Sequence, residues 1–114
     1  MHIDWSCVPI EKLSPLIDRQ YVNTENVTVA RFFLRKGVSV PEHKHPNEQI
    51  AFILSGKMRF IMGGKTVTLS PGETLCIPSN VPHSAEALED TVDLDVFTPP
   101  RADWISGNDS YLRK

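Results

Sequence analysis

Residues Gly37 to Gly56 read GVSVPEHKHPNEQIAFILSG, and this stretch decides how the rest of the chain is read. Side chains on an extended segment alternate between two faces, so His43 and His45 point the same way. Gln49 keeps the same odd-numbered phase and brings an amide oxygen to that face. Glu48 is the competing oxygen donor, but alternation turns it to the opposite side. Well downstream, Val81-Pro82-His83 supplies a third imidazole after the turn at Gly72-Glu73. Three imidazoles and one oxygen on a rigid sheet suit one divalent transition metal, and nickel, zinc, manganese and iron all accept such a set. Taken without its surroundings, the pair beside Lys44 and Pro46 also reads as two solvated surface histidines.

Around this stretch, nine prolines and six glycines cut the chain into short pieces with no sustained helical apolar period. Strands are expected at 27–34, 49–54, 57–62, 65–69, 74–77, 83–88 and 91–98. Gly63-Gly64 is a two-residue hairpin signal, because both turn positions need positive φ. Ser70-Pro71-Gly72-Glu73 is a further turn, and Pro99-Pro100 ends the strand region. One helical turn is expected around Asp103-Trp104-Ile105. Many short strands at this spacing mean an all-β sandwich or barrel. Ile50, Phe52 and Leu54 are apolar on one face of their strand, and Ala51 and Ile53 on the other. Such a strand should be covered on both sides, its outer face by a second subunit. Met58, Phe60 and Met62 should fill the barrel wall, and Cys76 should be a small buried hydrophobe.

Composition bounds the function. The chain has 114 residues, a net charge of -2 and 40% hydrophobic residues, which suits a single domain over 1–114. With no basic excess, nucleic acid and anionic membrane are not expected partners. No stretch approaches transmembrane length. The start, Met1-His2-Ile3-Asp4-Trp5, lacks the basic and apolar regions of a secretion signal, and Cys7 and Cys76 make no zinc or redox spacing. The expectation is a cytoplasmic protein with free thiols.

The last strand carries a second constellation. Asp93, Asp95 and Phe97 share one face, and Val92, Leu94 and Val96 the other. Periodicity alone favours the acids facing water. The opposite orientation would put Asp95 and Phe97 inside the barrel. Arg101 would then sit at the mouth, a charged fork for a carboxylate.

Two frames tie these residues together. Gly37, five residues, His43, one residue, His45, three residues, Gln49, six residues and Gly56 form the first. Gly72, five residues, Pro78, four residues and His83 form the second. In this order they resemble the two motifs of the RmlC-like cupin superfamily, over roughly residues 27–98. The resemblance implies a double-stranded β-helix, a jelly-roll barrel, with a short C-terminal tail and one divalent metal on His43, His45, Gln49 and His83. Two positions depart from the pattern: Gln49 stands in place of the usual glutamate, and Ala87 in place of a final asparagine. A neutral Gln49 leaves the ion's charge uncompensated, which favours Lewis acidity over one-electron chemistry.

Asp95-Val96-Phe97-Thr98-Pro99-Pro100-Arg101, with the histidines and the Glu48-Gln49 pair, is similar to the cupins of pectin and alginate breakdown that linearise unsaturated monouronates. That resemblance implies catalytic roles for Asp95, Phe97 and Arg101, a small anionic sugar or acid as substrate, and a homodimer. The implied activity converts 4,5-unsaturated uronic acid monosaccharides to linear keto forms by Lewis-acid and proton-transfer catalysis. Another metal-dependent cupin enzyme, a dioxygenase or isomerase, and a non-catalytic sugar-binding cupin remain open.

Overall fold

The structure is a computed structural model and describes residues 1–113. In chain order the strands are β1 (Glu11–Ser14), β2 (Ile17–Asn23), β3 (Thr28–Leu34), β4 (Ser39–His43), β5 (Glu48–Ser55), β6 (Met58–Met62), β7 (Lys65–Leu69), β8 (Thr74–Ile77), β9 (His83–Ala87) and β10 (Thr91–Thr98). They form two antiparallel sheets, one ordered β1-β2-β3-β10-β5-β8 and the other β4-β9-β6-β7. This is the expected all-β architecture of two facing sheets. One helical turn, α1 (Ala102–Ile105), follows β10, and single 3-10 turns lie at Trp5–Cys7 and Ser110–Leu112.

The alternation that builds the sheets also sorts the core. Ala30, Phe32 and Leu34 of β3, Ala51 and Ile53 of β5, and Met58 and Phe60 of β6 are all buried. Each large apolar side chain removed from water in this way contributes about 1.5–3 kcal/mol. The Gly63-Gly64 turn has φ of 58° and 76°, which closes the β6–β7 hairpin in register. At Gly56, φ is 87°, and an added Cβ would lie 2.3 Å from the Asp90 carbonyl oxygen. Only glycine fits that approach.

Three strands were not foreseen. β2 hides its alternation because an arginine, Arg19, occupies an inward position. β1 is short and depends on pairing with β2. β4 contains Pro41 at a register shift between Val40 and His43, tolerated because β4 is an edge strand. Two burial expectations also change. Cys76 is exposed rather than buried, because it points outward from the edge strand β8, and both cysteines are free. The outer face of β5 is only partly covered, with Leu54 52% exposed. Among the described residues no helix is long and apolar enough to cross a membrane.

Candidate metal centre and acid pocket

Strand pairing brings the histidines together. His43 is the Cα partner of His83 in the β4–β9 ladder, and the loop after β4 folds His45 back beside them. The ring centroids are 4.3 Å apart for His43 and His83, 5.0 Å for His45 and His83, and 5.7 Å for His43 and His45. One nitrogen from each ring lies within 4.8 Å of the others, so the triad could hold a metal ion. His45 and His83 are buried and His43 half-buried.

Hydrogen bonding sets the chemistry of these rings. The Nδ1 atoms of His43, His45 and His83 lie 2.8, 3.0 and 2.8 Å from the carbonyl oxygens of Pro41, Asn47 and Val81. A carbonyl can only accept, so each Nδ1 carries the proton and each Nε2 keeps its lone pair for the common centre. His83 Nε2 is buried with no protein partner. His45 Nε2 faces the amide oxygen of Gln49 at 3.2 Å, so two electron-pair donors meet where a cation would sit. Burial lowers His43 to about 4, against the raising effect of the Pro41 carbonyl. Burial and the charge of Arg101 lower His45 to about 4, and burial lowers His83 as well. All three rings are neutral at pH 7, the state a metal needs. The donor set fits a divalent ion.

Gln49 is buried and Glu48 exposed, so alternation directs the amide rather than the carboxylate toward the triad. Asn47, which the sequence reading passed over, is 3% exposed and donates to the carbonyls of Pro99 and Pro100. It therefore joins the His45 loop to the segment leading into Arg101. An exposed-looking Pro-Asn loop gave no sign of this.

The last strand settles its ambiguous polarity by facing Asp93, Asp95 and Phe97 inward, each at most 4% exposed. The reason lies in its neighbours. Asp95 sits between Ala30 on β3 and Ala51 on β5, two fully buried small residues that leave room for a carboxyl. Phe97 lies opposite Gln49, which sets the amide diagonal to Asp95. Burial raises Asp95 to about 6, and hydrogen bonds from Asp93 and Gln49 and the charge of Arg101 offset this only in part. Burial, then the charge of Asp95, raises Asp93 well above the ordinary carboxylate range. Burial thus favours the protonated form of both acids. Asp93 was visible in the sequence as a same-face neighbour of Asp95, but nothing there marked it as a partner.

His43, His83, Gln49, Asp93, Asp95, Phe97, Arg101 and Tyr111 line one cavity of about 50 Å³ between the sheets. Arg101 is in its wall, 2% exposed, but the expected open fork at the mouth is not what forms. Its Nε and Nη2 donate to the two carboxylate oxygens of Asp103 at 2.9 and 2.7 Å, and Nη2 also donates to the Tyr111 hydroxyl. Its guanidinium lies over Phe97 and Trp104 at 4.7 and 4.4 Å from the ring centroids. Tyr111 arrives from the C-terminal tail, where no sequence signal pointed to it.

A double-sheet β-barrel with a histidine triad inside it defines a class. The chain belongs to the cupin family, whose cupin domain matches residues 30–98. Within that family it is 28% identical over 100 residues to the pectin degradation protein KdgF of Dickeya dadantii, covering 85% of this chain and 91% of that protein. The solved structure of KdgF from a Halomonas species superposes with a TM-score of 0.79 at 27% identity, over 84% of this chain and 90% of the other. An RmlC-like cupin from Shewanella frigidimarina shares the fold, with a TM-score of 0.84 at 22% identity over 91% and 96% of the two chains.

Proposed function

We propose that this protein is a metal-dependent enzyme that converts 4,5-unsaturated uronic acid monosaccharides to linear keto forms. The observation that carries the reading is the buried Asp93–Asp95 pair, whose proton affinity burial raises, in the same cavity as His43 and His83 of the histidine triad. The likeness to the pectin degradation protein KdgF of Dickeya dadantii, and to the KdgF structure from a Halomonas species, supports the substrate class.

The reaction is an isomerisation. The anomeric hydroxyl gives its proton to water as the bond from C1 to the ring oxygen breaks, the ring oxygen becomes the oxygen of an enolate at C5, and a proton added at C4 leaves a 5-keto acid. A divalent ion on His43, His45, His83 and Gln49 supplies Lewis-acid stabilisation of developing oxyanion charge when bound. Asp95 delivers the proton to C4, with the buried Asp93 beside it on the same face as its relay partner. Phe97 closes the cavity to water and packs against the sugar. Arg101 offers the remaining arm of its guanidinium, Nη1, to the substrate carboxylate. The cavity as it stands has room for an ion and a few waters, so a sugar ring enters only as the cavity widens. A homodimer in the cytoplasm completes the proposal, and the exposed Leu54 on the outer face of β5 supports the dimer.

Metal-loaded protein mixed with unsaturated galacturonate should speed the loss of the conjugated enol absorbance. Asp95→Asn should remove most of that acceleration, by about 10²-fold or more for a lost general acid. A rate equal to the spontaneous one in the parent protein overturns the proposal.

A further inference from the structure

His43 is the most exposed member of the triad. It ends the edge strand β4, directly after the register shift at Pro41, and is the only member of the triad that is not fully buried. A second element reaches it. The ring of Tyr111 stacks on the His43 imidazole with centroids 4.5 Å apart and planes at 29°. The hydroxyl of the same residue accepts from Arg101 Nη2 at 2.6 Å.

Tyr111 is held there firmly. It belongs to the 3-10 turn Ser110–Leu112, whose preceding residue, Asp109, is fully buried and paired with the buried Arg19 at 2.9 Å. Leu112 on the other side is buried in the core. The turn is thus fastened on both sides of Tyr111, from β2 and from the barrel interior.

We propose that Tyr111 is a positioning residue that couples the two halves of the candidate site. Its ring holds the plane of His43 so that Nε2 faces the other two histidines. Its hydroxyl, with Asp103, fixes the guanidinium of Arg101 over Phe97, leaving Nη1 as the free arm. The role in substrate binding rests on the uronate reading above; the role in holding His43 does not.

Cobalt(II) is the probe, because its visible absorption reports the number and arrangement of ligands. Removing the ring by Tyr111→Leu, which keeps apolar volume, or by Tyr111→Ala should weaken cobalt binding about tenfold and alter the spectrum, as is usual for residues that orient a metal ligand. Tyr111→Phe should restore both affinity and spectrum. With uronate, Tyr111→Phe should raise KM while leaving kcat close to the parent value, because only the contact to Arg101 is lost. Parental cobalt affinity and spectrum in a folded Tyr111→Leu protein overturn the proposal, as does a parent protein that binds no cobalt. An unchanged KM in Tyr111→Phe overturns the Arg101 half. If the parent turns over no uronate but the cobalt results hold, the substrate reading fails and the role at His43 stands.

Discussion

Replacing Asp95 by asparagine should stabilise the metal-free protein, and by an amount that depends on pH in a defined way. The folded state raises this carboxyl from 3.8 to about 6 because it is buried among Ala30, Ala51 and Phe97. Below pH 3.8 the group is protonated in both folded and unfolded chains, and its ionisation has no effect on stability. Between pH 4 and 6 the unfolded chain ionises while the folded one does not, so folding stability is progressively lost as pH rises. Above pH 6 the loss is complete, and a shift of this size corresponds to about 3 kcal/mol. The histidines act oppositely: their folded values lie below the unfolded one, so their contribution is lost as pH falls. The measurement must therefore be the difference between variant and parent, in which the histidine contribution cancels. Urea unfolding in the presence of chelator at pH 4, 5, 6 and 7.5 should show the advantage of Asp95→Asn growing to about 3 kcal/mol over this range. A difference that stays constant from pH 4 to 7.5 refutes the argument that burial controls this group.

Two further outcomes follow from side-chain orientation and burial. Gln49→Ala should lower metal content after purification and dialysis whereas Glu48→Ala should not, since only Gln49 faces the triad; loss with Glu48→Ala alone would exchange their roles. Asp109→Asn should lower stability by about 1–3 kcal/mol in thermal or urea unfolding, because the buried guanidinium of Arg19 keeps Glu11 but loses its buried counter-charge, whereas breaking the half-exposed Arg59–Glu86 pair with Glu86→Gln should change it by less than about 1 kcal/mol.

The parts of this molecule that were legible in the sequence are those governed by local rules. β8 and β10 run over the residues the alternation and turn signals indicated, and the Gly63-Gly64 hairpin forms with the positive φ its composition required. The triad was legible because its spacing sits in a recognisable frame, and the side chosen for Gln49 followed from period-2 alternation. Periodicity alone did not give the orientation of β10, because it takes carboxylates to be ionised and therefore outward; the family resemblance did, through the roles it implies for Asp95 and Phe97. Burial of Asp93 and Asp95 instead favours their protonated forms, and the alanines that make room for Asp95 lie in other strands. β2 was hidden for the same reason, with Arg19 paired inside to Asp109 from the far end of the chain. Tyr111 and Asn47 act through contacts distant in sequence, to His43 and to Pro99, which no local pattern encodes.

The arrangement of charges explains why Arg101 turns toward Asp103 rather than toward the acid pair. An arginine bonded to Asp95 would stabilise the carboxylate and bring its proton affinity down, removing any acid from the cavity at neutral pH. Asp103 accepts from two guanidinium nitrogens instead, and its own carboxyl is held below the usual range by those bonds, despite the opposing effect of burial. Arg101 and Asp103 then cancel to first order, so the charge of Arg101 reaches Asp95 only weakly. The triad and Gln49 are neutral, and burial opposes charge on the acid pair. A divalent ion added to this set makes the cavity positive overall, which favours a monoanion over a neutral sugar. Asp103→Asn should accordingly strip Arg101 of its counter-charge and lower the proton affinity of Asp95, so that the pH profile of turnover moves to lower pH; a profile that does not move would mean that burial alone sets the acid.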